Sequence, residues 1–259
     1  GVASLGGTLN VTLANGFSPT NGATFTFLTA NSRVGTFAAF NYPSNEIGMQ
    51  LSIDPTSAKI MVSNLKPVVA NPITDPAAVT YGSACNFQFA ANVFADPDGN
   101  PLSFTASGLP PGISFAGATR TFSGAPTAAG VFQVAVIAND GGSPSLTATN
   151  LFTITVNPAT LAITAEPQLK TYGASDPALT FTVGGLQLND TPASVLGGSL
   201  TRVAGESVAG SPYAITQGNL VANSNYTINF TGSTLAIAQA ALSVTADAKT
   251  KIYGAADPA

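Results

Sequence analysis

The side chains with the clearest capacity for chemistry are Asp96, Asp98 and Asn100, which alternate in the run Asp96-Pro97-Asp98-Gly99-Asn100. Carboxylate and amide oxygens that alternate in a tight turn can converge on a hard cation such as Ca²⁺. Asp140 can add a further oxygen from a second loop. The sequence therefore predicts a calcium site formed by Asp96, Asp98, Asn100 and Asp140.

The same run also fits an interpretation without a metal. Asp and Asn side chains accept hydrogen bonds from nearby backbone amides, and glycine permits a positive φ, so the run is also an ordinary turn sequence. No glutamate closes the loop in the way that an EF-hand requires. The calcium site and the structural turn both stay open at this point.

Other catalytic chemistry has few candidate residues. Cys85 is the only cysteine and the chain has no histidine, which excludes an internal disulfide and any triad or zinc site that depends on histidine. Cys85 alternates with Phe87 and Phe89, as a buried thiol on a strand would. The twelve carboxylates are scattered and form no paired motif. We expect a protein that is not an enzyme.

The composition indicates a neutral, extracellular type of surface. Charged residues make up 8% of the chain, against about 25% in an average soluble protein, while hydrophobic residues make up 45%. Threonine, serine, asparagine and glycine must therefore cover the surface, and we predict an extracellular or bacterial cell-surface location. The net charge of −4 and the lack of a basic cluster argue against nucleic acid and anionic membranes as partners. No apolar run approaches the 18 residues that a membrane-spanning helix needs. The first residues do not resemble a signal peptide, so we expect either that a signal peptide has been cleaved or that this sequence begins far downstream of one.

Short alternating runs bounded by Gly, Pro, Asn and Asp predict an all-β fold. Most aromatic residues fall at alternating positions that a core would use, so the sequence predicts no exposed aromatic patch. The expected architecture is a series of tandem β-sandwich and other β-rich modules after a short N-terminal region similar to a β-helix.

An internal repeat sets the domain boundaries. Residues 159–178 and 240–259 are identical at eleven of twenty positions, with an offset of 81 residues. We predict one repeat at 158–239, the start of a second at 240–259, a β-sandwich at 66–157 and a β-rich region at 1–65. The recurrent Asp176-Pro177 and Asp257-Pro258 are interpreted as turns in which the Asp side chain caps backbone amides. Tyr172 and Tyr253 are interpreted as rings that pack on the edge of a sandwich.

Three resemblances follow from motifs in this order along the chain. From its residues 172–180, 198–200, 213–215 and 225–228, the 158–239 unit resembles the MBG domain of large bacterial surface and secreted proteins. From its residues 96–102, 108–113, 122–127 and 138–142, the 66–157 unit resembles dystroglycan-type cadherin-like and bacterial immunoglobulin-like domains. From residues 7–9, 16–19, 25–28 and 35–37, region 1–65 looks like the end of an autotransporter β-helix passenger. These resemblances imply a repeat-rich adhesin, with a seven-stranded sandwich at 66–157 and no catalytic motif.

The sequence thus favours a structural function, a stalk or spacer in a secreted or cell-surface bacterial adhesin, with neighbouring domains of the same array as partners. One alternative is a module that binds a cell-surface glycan or protein. Another is a filament subunit that pairs with copies of itself by strand exchange, because Leu242, Val244 and Ala246 would expose an apolar strand face. The competing explanation for that face is that the repeat continues in a longer array.

Overall fold

The computed structural model describes residues 1–14 and 16–258. Within these residues the chain is almost entirely β, with 25 strands and one four-residue helix, which confirms the predicted all-β fold. The chain divides into two compact units, the first ending at Ala159 and the second beginning at Thr160. Asn15 in region 1–65 and Ala259 in the predicted repeat start lie outside the described residues.

Region 1–65 combines parallel strand pairs with an antiparallel sheet. Its strands are β1 (Val2–Leu5), β2 (Thr8–Asn10), β3 (Thr24–Thr29), β4 (Ser32–Gly35), β5 (Ala39–Asn41), β6 (Ile47–Asp54) and β7 (Ser57–Leu65). β1 pairs in parallel with β4 and β2 with β5, each partner lying about 30 residues further on, which is the spacing of stacked β-coils. The other three strands pair antiparallel in the order β3-β7-β6 over a core of Ile47, Met49, Ile60 and Val62.

Three phenylalanines of this region are exposed rather than buried. Phe17, Phe25 and Phe27 are 47%, 39% and 43% exposed. Phe17 meets Phe25 edge-on, with ring centroids 5.6 Å apart, and Phe27 lies 6.2 Å from Phe37. The register of β3 shifts between Thr26 and Leu28, and both Phe25, before the shift, and Phe27, within it, are exposed. The expectation that no aromatic patch is exposed is therefore wrong.

Residues 66–157 form a sandwich with an aromatic core. The strands are β8 (Val68–Val69), β9 (Val79–Thr80), β10 (Cys85–Gln88), β11 (Phe94–Ala95), β12 (Ser103–Ser107), β13 (Ile113–Ala116), β14 (Thr121–Gly124), β15 (Gly130–Asn139) and β16 (Thr147–Asn157). One sheet has the order β10-β14-β13 and the other β12-β15-β16-β9, with β8 and β11 as a separate pair. Strict alternation on β15 and β16 turns Val134, Val136 and Phe152 inward, where Phe152 meets Phe122 at 5.6 Å. Cys85 is buried there as predicted, and burial raises the pKa of its thiol.

The second unit contains three sheets. Its elements are β17 (Ala159–Ala165), β18 (Gln168–Thr171), β19 (Phe181–Gly184), α1 (Pro192–Val195), β20 (Leu196–Gly197), β21 (Thr201–Arg202), β22 (Tyr213–Thr216), β23 (Val221–Ala222), β24 (Tyr226–Thr231) and β25 (Ser233–Ala238). The sheets have the orders β19-β17-β24, β18-β25-β22-β21 and β20-β23. β17 buries every second residue, so its small and branched side chains form one wall of the core.

The described part of the predicted second repeat, residues 240–258, contains no strand. Leu242 and Val244, which correspond to the buried Leu161 and Ile163 of β17, are 88% and 83% exposed. β17 and β18 are held by β19, β24 and β25 from later in their own repeat, and residues 240–258 include no equivalent of those partners. Pairing of this segment with another copy of the chain stays a prediction.

Candidate calcium site, polar junction and ion-pair network

The run from Asp96 to Asn100 forms a turn that one carboxylate oxygen organises. Asp96 Oδ1 accepts hydrogen bonds from the backbone N–H groups of Asp98 at 2.9 Å and Asn100 at 3.1 Å. Gly99 has φ +77°, which a residue with a side chain rarely adopts. The interpretation of this run as a structural turn is therefore confirmed, and a bound cation would have to use oxygens that the turn leaves free.

Two carboxylate oxygens of this turn are buried without a hydrogen-bond partner. They are Asp96 Oδ2 and Asp98 Oδ1, whereas Asp98 Oδ2 accepts from the backbone N–H of Leu65 at 2.6 Å. A buried oxygen that carries negative charge is costly unless a donor or cation contacts it. Asp96 Oδ2 and Asp98 Oδ1 are therefore the atoms through which these two residues would hold a Ca²⁺ ion.

Asn64 links the predicted ligand residues, and sequence reasoning did not identify it. Its side chain is almost completely buried, and its Nδ2 donates to Asp140 Oδ2 at 2.7 Å and to the carbonyl of Pro144 at 2.8 Å. Its Oδ1 accepts from Asn100 Nδ2 at 3.0 Å. We call the set Asn64, Asp98, Asn100 and Asp140 the polar junction, because it joins β7 of region 1–65 to two loops of the sandwich.

Asp140 has a structural position at the centre of the polar junction. It is buried, and its Oδ1 accepts from the backbone N–H groups of Gly142 and Leu146, both at 2.9 Å. A Cβ added to Gly142 would lie 2.4 Å from Asn64 Nδ2, so a side chain there would displace the Asn64 amide. Both oxygens of Asp140 therefore already have donors, and its assignment as a calcium ligand stays a prediction.

The four predicted residues thus lie in one region but do not form a closed ligand set. Among the residues that the structure describes, no three His, Cys, Asp or Glu side chains cluster as metal ligands. Calcium takes six to eight oxygens, so a bound ion would add water and carbonyl oxygens to those of Asp96 and Asp98. The Asn100 Oδ1 takes part in none of the hydrogen bonds described above and is a third side-chain candidate.

Calcium is expected to raise the melting temperature of the first unit by several degrees, because it would neutralise two buried, unpaired carboxylate oxygens. Asp96→Asn and Asp98→Asn should abolish this response and leave the calcium-free protein as stable or more stable, since each removes a charge and keeps the shape. Thermal unfolding in millimolar calcium and in chelator measures both effects. Asp247→Asn, at an exposed carboxylate, is the control, and an unchanged wild-type melting temperature would refute the calcium site.

The second unit contains a network of four charged side chains, Lys170, Asp176, Arg202 and Glu206. Lys170 Nζ lies 2.6 Å from Asp176 Oδ1 and 2.5 Å from Glu206 Oε2. Arg202 binds Asp176 through Nε at 2.6 Å and Nη2 at 3.0 Å, and its Nη2 also contacts Glu206. We call this set the ion-pair network. It connects β18, the turn that follows β18, β21 and the loop after β21.

The network corrects the interpretation of Asp176 as a cap for backbone amides. Its carboxylate instead pairs with two cations, and the bonds from Arg202 and Lys170 lower its pKa from 3.8 to about 2. The same pairing recurs in the repeat, where Lys251 Nζ lies 2.5 Å from Asp257 Oδ1. Tyr172 and Tyr253 also differ from expectation, since their rings are exposed rather than packed.

The charges of the network determine what it can do chemically. An amine beside a carboxyl can condense with it only when both groups are neutral. Asp176 and Glu206 raise the pKa of Lys170, and bonds from Lys170 and Arg202 lower that of Glu206, so every member is held in its charged form. The arrangement is therefore an electrostatic cross-link between its four charged side chains.

Two family models match segments of the chain. Residues 66–157 match the model described as "Putative Ig domain", and residues 161–236 match "MBG domain (YGX type)". The second match contains Tyr172-Gly173-Ala174. Two segments of the chain thus match an Ig-like and an MBG module, which are module types typical of extracellular and surface proteins. A search of curated proteins gave no significant match.

Several solved structures share a general similarity with the chain. Drosophila N-cadherin EC1-4 is 8% identical, with 90% of this chain and 73% of that chain covered and a TM-score of 0.40. Extracellular cadherin domains 3-6 of protocadherin gamma B2 are 12% identical, with 75% of this chain and 66% of that chain covered and a TM-score of 0.36. A nucleoside hydrolase-related protein of Saccharophagus degradans, associated with carbohydrate metabolism, is 23% identical over 36% of this chain, with a TM-score of 0.28.

Several of the matched structures belong to proteins much longer than the segment that this chain covers. The chain spans 26% of the Saccharophagus protein, and 21% and 22% of two Bacteroides fragilis proteins described as putative α-galactosidases. At these identities and TM-scores the similarities carry no inference about activity or ligands. In the described residues, no helix is long and apolar enough to cross a bilayer.

Proposed function

We propose that this chain is a force-bearing spacer, a stalk segment of a secreted or cell-surface bacterial adhesin. The observation that carries the proposal is the parallel pairing of β18 with β25, which extends from Gln168 opposite Leu235 to Thr171 opposite Ala238. β18 lies near the start of its repeat and β25 ends it. Tension along the chain therefore acts on opposite ends of this pair.

Such a pair resists tension because its hydrogen bonds are loaded together. Two parallel strands pulled from opposite ends slide past each other, and all bonds between them must break at nearly the same extension. Strands pulled from the same end separate one bond at a time. The ion-pair network adds to this resistance, because Lys170 belongs to β18 and is bound to Asp176 and Glu206.

The sandwich at 66–157 has the same arrangement in a shorter form. β9 pairs in parallel with the end of β16, with Val79 opposite Val156 and Thr80 opposite Asn157, and Tyr81 N–H donates to the Asn157 carbonyl at 2.9 Å. The entry segment is tied to β16 by Asp75 Oδ1, which accepts from the Thr153 N–H at 2.7 Å. Both modules thus place a strand from near their start in parallel with their last strand, which suits tandem modules under tension.

Stretching single molecules from their two ends tests the spacer function. A spacer predicts that each module extends in one abrupt step at a well-defined force. Gradual extension at low force, without distinct steps, would contradict the proposal.

The exposed rings of Phe17, Phe25 and Phe27 favour a second candidate function, an adhesion module that binds a glycan or protein directly. Exposed aromatic rings are enriched at sites of molecular recognition. A panel of cell-surface glycans and proteins probed with wild type and Phe25→Ser separates the candidates, because the spacer function predicts no binding that depends on Phe25.

A further inference from the structure

A shallow, open cavity of about 520 Å³ lies in region 1–65 where β2 and β5 end. Its polar lining consists of Asn10, Thr12, Asn41 and Glu46, and its apolar lining includes Val11 and Tyr42. The cavity is separate from the polar junction and the ion-pair network, and the spacer function does not require it. A concave site of this size with a few polar groups on an apolar wall has the composition of a small-ligand site.

The parallel pairing of β2 with β5 fixes the polar side of the cavity. Asn10 lies opposite Asn41 in register, and Asn41 Nδ2 donates to Asn10 Oδ1 at 2.8 Å. This bond leaves the Asn10 amide as a donor and the Asn41 carbonyl oxygen as a neighbouring acceptor. A donor and an acceptor side by side match two adjacent hydroxyl groups, each of which can donate and accept. The Glu46 carboxylate offers a further acceptor.

Tyr42 gives the cavity a rigid aromatic wall. Its ring lies 5.0 Å from that of Phe40, at an angle of 35°, and both rings pack against the core of Ile47, Met49, Ile60 and Val62. The ring is half-buried, so one part is anchored while the rest faces the cavity. A flat apolar surface beside hydroxyl-matching amides fits the C–H face and the hydroxyl edge of a sugar ring.

The charges at the cavity exclude some ligand classes. No lysine or arginine lines it, and Glu46 carries a negative charge, which disfavours phosphate, sulfate and acidic sugars. An added peptide strand would need free backbone groups, yet the Val11 N–H is already bonded to the Asn41 carbonyl at 2.8 Å. We propose that Asn10, Asn41, Tyr42 and Glu46 form a binding site for a neutral oligosaccharide.

Calorimetric titration of the full chain with cellohexaose, laminarihexaose and mannohexaose tests the proposal, with hexagalacturonate as the acidic comparison. We expect at least one neutral sugar to bind and the acidic one to bind more weakly or not at all. Asn41→Ala should weaken binding about tenfold, because one sugar hydroxyl loses its acceptor and the Asn10 amide loses its orientation. Tyr42→Ala should abolish binding, and Tyr172→Ala, at an exposed tyrosine of the second unit, should not change it.

Each other result counts against the proposal. Failure of all three neutral sugars to bind would overturn it, as would tighter binding of hexagalacturonate. Unchanged binding by Asn41→Ala and Glu46→Gln would place any sugar site elsewhere on the chain. These two variants alter exposed side chains, so they remain informative if Tyr42→Ala does not fold.

Discussion

Replacing Asn64 by alanine is expected to destabilise the first unit by about 2–4 kcal/mol, because several buried polar groups lose their partner together. Asp140 Oδ2 would lose its amide donor in a site from which water is excluded, and Asn100 would lose the acceptor of its side-chain amide. The effect should extend across both sides of the polar junction. Amide hydrogen exchange measures it, with loss of protection expected in β7 and in the loop from Asp140 to Leu146.

Asn71→Ala is the matched control for this prediction. Asn71 also donates through Nδ2, to the carbonyl of Asn92 at 2.8 Å, but its side chain is exposed to solvent. Water can replace that bond, so the expected cost is about 0.5 kcal/mol or less. Equal effects of the two substitutions, or loss of protection confined to β7, would show that Asn64 does not join the two regions.

Lowering the pH is expected to reduce the free energy of unfolding of the second unit more steeply than its small number of carboxylates suggests. Arg202 and Lys170 lower the pKa of Asp176 from 3.8 to about 2, so the folded state binds fewer protons than the unfolded state between these values. The stabilisation is fully present above about pH 4 and is lost as the pH falls through about 2. Glu206, whose pKa is also lowered, contributes in the same direction.

The measurement is the denaturant midpoint of the second unit as a function of pH, followed by exchange of the amides in β18 and β25. Asp176→Asn should flatten the decline between pH 4 and 2 and lower the midpoint at neutral pH. Asp247→Asn, at an exposed carboxylate of the same unit, should leave the profile unchanged. A profile for Asp176→Asn that runs parallel to wild type would show that the network contributes no stability.

Alternation of apolar and polar residues was sufficient to predict the β architecture. β16 and β17 bury every second residue, as their sequences indicate, and the positions of Cys85 and the β15 core follow from the same rule. The rule fails on β3, where Phe25 and Phe27 alternate as core residues would but are both exposed. Alternation shows which residues share a face of a strand but not whether another layer covers that face, so the exposed aromatic rings could not be predicted from it.

The candidate sites were only partly predictable, because several of their residues are distant in sequence and meet only in the fold. Asp96, Asp98 and Asn100 are close in sequence, so local spacing identified their turn, but Asn64 is more than 30 residues away and reaches them only through the fold. A polar residue on the inward face of β7, after Ala58, Ile60 and Val62, was the one available signal. Arg202 and Glu206 lie in another strand and loop from Lys170, so no local pattern connects them with Asp176.

The direction in which the β18–β25 pair is pulled tests the proposed spacer function most directly. In a Cys85→Ser background, handles attached through cysteines at Gln168 and Ala238 load opposite ends of the pair, while handles at Thr171 and Ala238 load the same end. The account predicts a several-fold higher unfolding force for the first geometry, provided that both variants show wild-type amide exchange before pulling. Equal forces in the two geometries, or a higher force in the second, would contradict the claim that this parallel pair bears the load.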